Sequence, residues 1–489
     1  MASKKQLWTW HHVTTFVLTF FGYALFHACR KSFSNVKDTM QKEFTPFNSS
    51  CPVRPERIWE RRHVFATKDD ANVFLGEMDT VFLLSYAVGL YISGVIGDRL
   101  NMRLLLSFGM CMSAIAFFCF GYVSEYFGIY NKYFYGVFYI LNGLFQSTGW
   151  PTTVAIMGNW FNKSTRGSVF GFWSANASLG NIIGSFMVAS VLDSGYEYGI
   201  LVTSFLLFCG GLVMFFCLIP KPEDIGLEPP NDDDPECTLD NTDEEAIMNN
   251  SPSCNDETGS QPHVKTKTQA LSFYRALLLP GVIPYSLSYA CLKMVNYSFF
   301  FWLPVYLAQG LHWKDKKSDE LSNFYDLGGI FGGIVAGIIS DFMGYRSPVV
   351  TSMLVLSMGS LFMYSNAGAE YNTNVGLMTL TGFMIGGPAN LISSAISADL
   401  GKQDMLRGNL AALATVTGII DGTGSVGAAI GQYLVPVINK AFNWHMVFFF
   451  LIFMTFMSAV CLIPMVYKDL KKTSCCQTKS VDYHQISND

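Results

Sequence analysis

This chain has little charge. Asp, Glu, Lys and Arg make up 14% of its 489 residues, whereas 50% are hydrophobic and 41 are phenylalanine. Such a composition excludes the solvated surface of an ordinary water-soluble domain. The basic residues stand singly rather than in a patch, so nucleic acid is not an expected partner. The 12 cysteines are scattered, with no spacing that builds a disulfide framework or a metal site. Zinc signatures, a nucleophile elbow and a phosphate-cradling glycine loop are all missing. An enzyme is not expected, and neither is a metal or other cofactor.

What is present is a succession of apolar runs of about 20 residues, the length that crosses a ~30 Å hydrocarbon core. They fall at 13–33, 79–97, 104–122, 132–155, 167–190, 198–219, 277–307, 323–342, 347–367, 373–397, 410–437 and 445–467. The expectation is an all-α polytopic membrane protein of twelve transmembrane helices in two sets of six, 13–219 and 273–467, with membrane lipid as its solvent. No small-residue cleavage site follows the first run, which is read as a retained span rather than a signal peptide. The net charge of −5 is unevenly laid out: "PKPEDIGLEPPNDDDPE" opens an acidic segment without periodicity, 220–272, read as a disordered linker.

Lys and Arg in short loops orient the chain. Turns after the second, fourth, eighth and tenth spans hold Arg99, Arg103, Lys163, Arg166, Arg346, Lys402 and Arg407, whereas those after the third, fifth, ninth and eleventh hold only Lys132 and Lys440. The first group, the linker, the N-terminus (1–12) and the tail (468–489) are therefore expected in the cytosol. The loop "HWKDKKSDE" after the seventh span runs against that rule. A loop at about 34–78 is expected on the lumenal or outer face, with Asn48 of "NSS" as a glycosylation acceptor. In the tail, "DYHQI" fits a Tyr-x-x-hydrophobic sorting pattern at Tyr483 and Ile486, and Cys475 and Cys476 are candidates for palmitoylation.

The halves repeat one another. "GVIGDRLNMR" sets Gly94, Asp98, Arg99 and Arg103 against "GIISDFMGYR" with Gly337, Asp341 and Arg346. "GWP" at Gly149 faces "GGP" at Gly386, Arg166-Gly167 faces Arg407-Gly408, and "SLGNIIG" from Ser178 faces "SVGAAIG" from Ser425. These motifs recur in one order at nearly one spacing, so the chain reads as two copies of a six-helix unit. Asp98 and Asp341 are expected to pair with an Arg of a neighbouring helix or to accept from its N-terminal amides. With glycines allowing close approach, each turn would be a latch that opens when the halves rock; a fixed packing corner is the alternative.

Arg30 ends an apolar run, Val13 to Cys29, whose only ionisable side chain is His27, and Lys293 in "YACLKMVNYSFFFWLP" occupies the matching helix of the second half. A cation near the middle of a membrane helix costs about 2.5–3.5 kcal/mol even on a lenient scale, so it must face a polar cavity or a partner. Carboxylates to neutralise these two are few: Asp421 in "GIIDGTGS" is the main one, with Asp79 and Asp326 at span ends. Two facing cations would then hold an anion, and an Arg fork suits phosphate or phosphonate. Alternatively Arg30 or Lys31 snorkels to the interface and Lys293 pairs with Asp421. Tyr23, His27, Gln146, Asn296 and Tyr297 are expected to line the cavity. With so few buried acids, exchange of one anion for another is the simpler scheme; a proton-coupled symporter and a non-transporting receptor or scaffold stay open.

The Gly-x-x-x-Asp-Arg turns resemble the signature of the major facilitator superfamily, which implies that fold, with a substrate site between two pseudo-symmetric six-helix bundles. "RKSFSNVK", "STGWPTTVAIMGNWF", "FWSANASLGNIIG" and "VTGIIDGTGSVGAAIGQ" resemble the organophosphate:phosphate antiporters, more closely solute carrier family 37 and its member 3 branch. The resemblance implies that Arg30 is a phosphate ligand with Lys293 as counterpart, and that inorganic phosphate is exchanged for organic phosphates, or in this branch for other phosphate or phosphonate anions including bisphosphonate-type compounds. It places Asn176 where sugar-phosphate exchangers have a substrate-handling His, which argues against glucose 6-phosphate. It also implies a lysosomal or endosomal membrane with a single-span glycoprotein subunit, or, for the wider family, the endoplasmic reticulum.

Overall fold

The computed structural model describes residues 9–45, 64–230, 269–311, 315–403 and 410–486. Asn48, Arg407, the first part of the "HWKDKKSDE" loop and most of the 220–272 linker lie outside those residues. Among the described ones, ten helices are long and apolar enough to cross a membrane. The other two expected spans are helical too. The fourth is broken into Lys132–Gln146 and Gly149–Trp160, each too short alone, and the seventh, Val282–Val305, is diluted by tyrosines, serines and Lys293. Apart from a two-residue parallel bridge, Gln269–Ala270 with Leu410–Ala411, the described chain is helix and connecting turn.

Several helices outrun their apolar stretches. The first span is Trp10–Phe44 and the second Lys68–Gly97, so the expected 34–78 loop is helical over about half its length, at its two ends. Thirty-five residues at 1.5 Å each make a helix of about 50 Å, well beyond the ~30 Å core. Beyond the apolar run the first helix keeps a sparser buried stripe, Val36, Met40 and Phe44 at every fourth residue. The twelfth span likewise runs on to Ile486, carrying the backbone of Cys475, Cys476 and Tyr483 in helix rather than in a free tail. The side chains of those residues lie outside the described part.

The motifs of the repeat mark where helices bend. Pro151 lacks an amide hydrogen, and the fourth span breaks at Ser147–Thr148 just before "GWP". In the matching "GGP", Pro388 sits inside Tyr371–Leu391, and the chain passes into a π-helical turn at Ile392–Ile396. One proline position thus yields a break in one half and a π-bulge in the other.

The two halves meet along two helix pairs, the second span against the eleventh (Leu413–Ala441) and the fifth (Lys163–Trp173, then Asn176–Val191) against the eighth (Asp315–Met343). Glycine makes the contact possible. A Cβ on Gly94 would stand 2.7 Å from the Ala414 carbonyl, and one on Gly337 would stand 2.2 Å from the Gly167 carbonyl. Both crossings lie toward the end of the bundle that carries both termini. Farther along the helices the halves leave a cavity.

Candidate functional site

That cavity has a volume of about 150 Å³ and is walled by both halves. At ~30 Å³ per water that is room for about five water-sized groups. From the first half Tyr23, His27 and Arg30 face it; from the second, Lys293, Asn296, Tyr297 and Asp421 do.

The two cations are treated differently. Lys293 is buried and donates to Asp421 Oδ1 at 2.7 Å and to Ser425 Oγ at 2.8 Å. The expected pair of un-neutralised cations is therefore one pair and one single charge, because the eleventh span presents Asp421 one turn before Ser425 on the face that meets the seventh. Arg30 donates from Nε to Gln146 Oε1 at 3.2 Å, and its Nη2 is buried without a hydrogen-bond partner. No carboxylate among the described residues pairs with it. Its guanidinium lies 4.6 Å from the centroid of the Tyr86 ring and 5.3 Å from that of Phe82. The Lys293 ammonium is 5.9 Å from the same Tyr86 ring, so one aromatic face of the first half touches both charges.

Gln146 was expected in the wall, yet it stands behind Arg30. Its Nε2 donates to Asn142 Oδ1 at 3.3 Å, and Ser113 donates to that same oxygen at 2.7 Å. This neutral relay fixes the fork without cancelling its charge. Lys31 is not in the wall either; its ammonium lies 4.8 Å from the Phe300 ring centroid of the second half. His27 bonds Asn181 Oδ1 through Nδ1 at 3.3 Å, and Asn296 accepts from the Tyr325 hydroxyl at 2.8 Å.

Asn176 is fully buried away from the cavity, with neither polar side-chain atom partnered. Ser174, Ala177, Ser178 and Asn181 share the cavity-facing stripe of the fifth span, and a helix turns about 100° per residue, so Asn176 falls on another face. Asp79 and Asp326 also differ from expectation. Because their helices begin earlier than the apolar runs do, both sit well inside and face the cavity. Asp79 is ion-paired with Lys37.

At the end carrying the termini, the repeated turns hold the halves together through helix amides. Asp98, in the first half, accepts from the N–H groups of Ala414 and Thr415 at 2.9 and 2.8 Å, the start of the eleventh span. Asp341, in the second half, accepts from Gly167 and Ser168 N–H at 2.9 and 2.6 Å and from the Ser168 hydroxyl at 2.8 Å. Beyond this symmetry the corners diverge. Arg346 reaches Asp341 at 3.1 Å and pairs with Asp399, which Arg166 also engages from across the interface. Burial works against the Arg346 charge, but Asp399 and Asp341 outweigh it and raise its pKa. At the other corner Arg99 is exposed, and Arg103 Nε is buried without a partner. Burial there raises the Asp98 carboxyl above its ordinary value, against the pull of the Thr415 and Ala414 donors.

Between these corners and the cavity, Trp150 Nε1 donates to the Ser393 carbonyl at 3.0 Å, from the broken span of one half to the π-turn of the other. Sequence reasoning missed Tyr86, Trp150 and Asp399. The repeated Arg-Gly pair pointed toward Arg166, but nothing in the pattern marks Tyr86 among so many aromatics.

The major facilitator superfamily profile matches residues 19–406 and 327–474. The chain is 52% identical over 475 residues to sugar phosphate exchanger 3 of Xenopus laevis, covering 95% of this chain and 94% of that one. It is 51% identical over 468 residues to sugar phosphate exchanger 3 of Homo sapiens, covering 94% of each. A glucose-6-phosphate exchanger of Danio rerio is 37% identical over 478 residues, 95% of this chain and 94% of that one. Among solved structures, a proton:xylose symporter bound to 6-bromo-6-deoxy-D-glucose matches with TM-score 0.65 at 11% identity, covering 92% of this chain and 94% of that one. The human organic anion transporter MFSD10 matches with TM-score 0.64 at 13% identity, covering 92% and 99%. At such identities these structures speak for the fold alone.

Proposed function

Because this chain belongs to the sugar phosphate exchangers of the major facilitator superfamily, we propose that it exchanges organic phosphate or phosphonate anions for inorganic phosphate by alternating access. It is a multi-pass membrane transporter and not an enzyme. The observation that carries the exchange reading is Arg30, a guanidinium held in place by Gln146 and Tyr86 in a cavity between the halves, with one nitrogen unpartnered. A fixed cation without a carboxylate is costly in a low-dielectric site until an anion arrives. An empty carrier therefore reorients less readily than a loaded one, which is the logic of antiport.

Lys293 contributes as part of a neutral pair with Asp421, able to turn toward a substrate oxygen when the anion competes for it. The reading that glucose 6-phosphate is a poor substrate no longer rests on Asn176, which is off the cavity; it rests on a fifth-span wall of Ser174, Ala177, Ser178 and Asn181, without a titratable group. The carrier would work in a lysosomal or endosomal membrane, or in the endoplasmic reticulum, with both termini cytosolic. Tyr483 and Ile486 would sort it, Asn48 would be glycosylated on the lumenal face, and a single-span glycoprotein would be its accessory subunit.

Proteoliposomes loaded with phosphate, an organic phosphate or a bisphosphonate test this. Uptake of labelled phosphate should require a loaded interior and disappear in Arg30→Ala; uptake into empty vesicles, or uptake indifferent to Arg30, would overturn exchange. A proton-coupled symporter is the second reading, favoured by three carboxylates in the wall, Asp79, Asp326 and Asp421. It requires accumulation in response to a pH gradient alone. A non-transporting receptor or scaffold would bind anions yet move none.

A further inference from the structure

Of the three carboxylates in the cavity wall, two are engaged: Asp79 by Lys37 and Asp421 by Lys293. Asp326 is not. Among the described residues no hydrogen bond or ion pair reaches its carboxylate, although Lys31 of the opposite half attracts it from a distance. The cavity therefore holds one cation without a counter-charge, Arg30 in the first half, and one carboxylate without a bonded partner, Asp326 in the second. Such a pair is complementary to a ligand with opposite ends. A phosphoryl head answers Arg30, and a carboxylate, which can only accept, is answered by a hydrogen-bond donor.

We infer that Asp326 is a specificity-determining residue that receives the non-phosphate end of the substrate, so the site favours organic phosphates whose body carries an amine or hydroxyl donor and disfavours those whose body carries a second acid. This rests on the phosphate-exchange reading of the same cavity and adds a ranking to it. The second-half wall around Asp326 suits a polar body. Asn296 has its oxygen occupied by the Tyr325 hydroxyl, leaving its amide N–H groups to offer, and Asn390 lies on the same side. A like charge meeting Asp326 inside a poorly solvated cavity is repelled far more than in water.

The test uses three small phosphates that differ in the far end: phosphoethanolamine with an ammonium, glycerol 3-phosphate with hydroxyls, and 3-phosphoglycerate with a carboxylate. Each competes with labelled inorganic phosphate for binding to the purified full chain in detergent, with exchange in proteoliposomes measured alongside. The expected order of competition is phosphoethanolamine, then glycerol 3-phosphate, then 3-phosphoglycerate, the ends of the series about tenfold apart. Asp326→Asn should flatten the series, whatever change it makes to the affinity for phosphate itself, and Asp326→Glu should restore it. If Asp326 only steadies the halves through Lys31, its loss changes all three compounds alike and the inference fails. A wild-type series that is flat or reversed overturns it as well. Absence of phosphate binding would overturn the exchange reading itself, and this ranking with it.

Discussion

Arg30 and Lys293 occupy matching helices of two copies of one unit, and the structure gives them opposite surroundings. Lys293 is buried against Asp421 and Ser425, a closed pair. Arg30 is backed by the neutral Gln146–Asn142–Ser113 relay and stacked on Tyr86, so its charge stays available. Duplication supplies a scaffold in which one cation can belong to the fold and the other to the ligand. The corners at the terminus-bearing end repeat the lesson. Asp98 and Asp341 cap a helix of the opposite half in the same way, but among the described residues only the Asp341 corner adds ion pairs, through Arg346, Asp399 and Arg166.

The comparison breaks most easily at Arg30. Arg30→Ala should lower phosphate exchange by at least about 30-fold, the loss expected when one side of a desolvated charged contact is removed. Its thermal midpoint in detergent should stay the same or rise, because no internal ion pair is lost. Lys293→Met should do the reverse on stability. Stranding Asp421 costs about 3–5 kcal/mol, and adding Asp421→Asn should recover most of it; equal midpoints for the Arg30 and Lys293 variants would end the distinction.

A smaller effect separates the corners. Asp399→Asn leaves Arg166 and Arg346 facing one another across the interface and should open the closed gate, read as increased cysteine labelling from the terminus-bearing side. Asp98→Asn leaves one acceptor oxygen where Ala414 and Thr415 N–H each had their own, but removes a charge that burial already disfavours, so its labelling should rise less than that of Asp399→Asn. Comparable labelling of the two would mean that the amide caps, and not the ion pairs, hold the halves closed. Smallest of all, Tyr86→Phe should leave exchange within about twofold, whereas Tyr86→Leu should cost several-fold, since a cation over an aromatic face is worth about 0.5–2 kcal/mol. Equal loss in both would point to the hydroxyl instead of the ring.

The architecture was legible because membrane solvent writes itself into sequence: a lone apolar segment satisfies its own backbone inside lipid only as a helix, so length and apolarity mark the spans. The repeat and its Asp turns were readable because the same motifs recur at nearly one spacing, and Arg30 because a cation next to an apolar run is costly in lipid. The helix ends beyond the apolar runs were not, since Val36, Met40 and Phe44 mark that turn of helix only at every fourth residue among charged ones, too sparsely to extend a hydropathy run. Helical phase also escaped: Asn176 is one residue from Ala177, and only packing decides which of them meets the cavity.

By itself the sequence determined the number of helices, the twofold internal repeat and the presence of cations that hydrocarbon would not tolerate alone, because those follow from one-dimensional patterns of hydropathy and spacing. Tertiary structure alone decided which cation is left without a counter-charge, that among the described residues Asp326 faces the cavity without a bonded partner, and that the Asp341 corner is ionic. Those are questions of which side chain meets which, and they are settled by helix rotation and close packing that no linear pattern encodes.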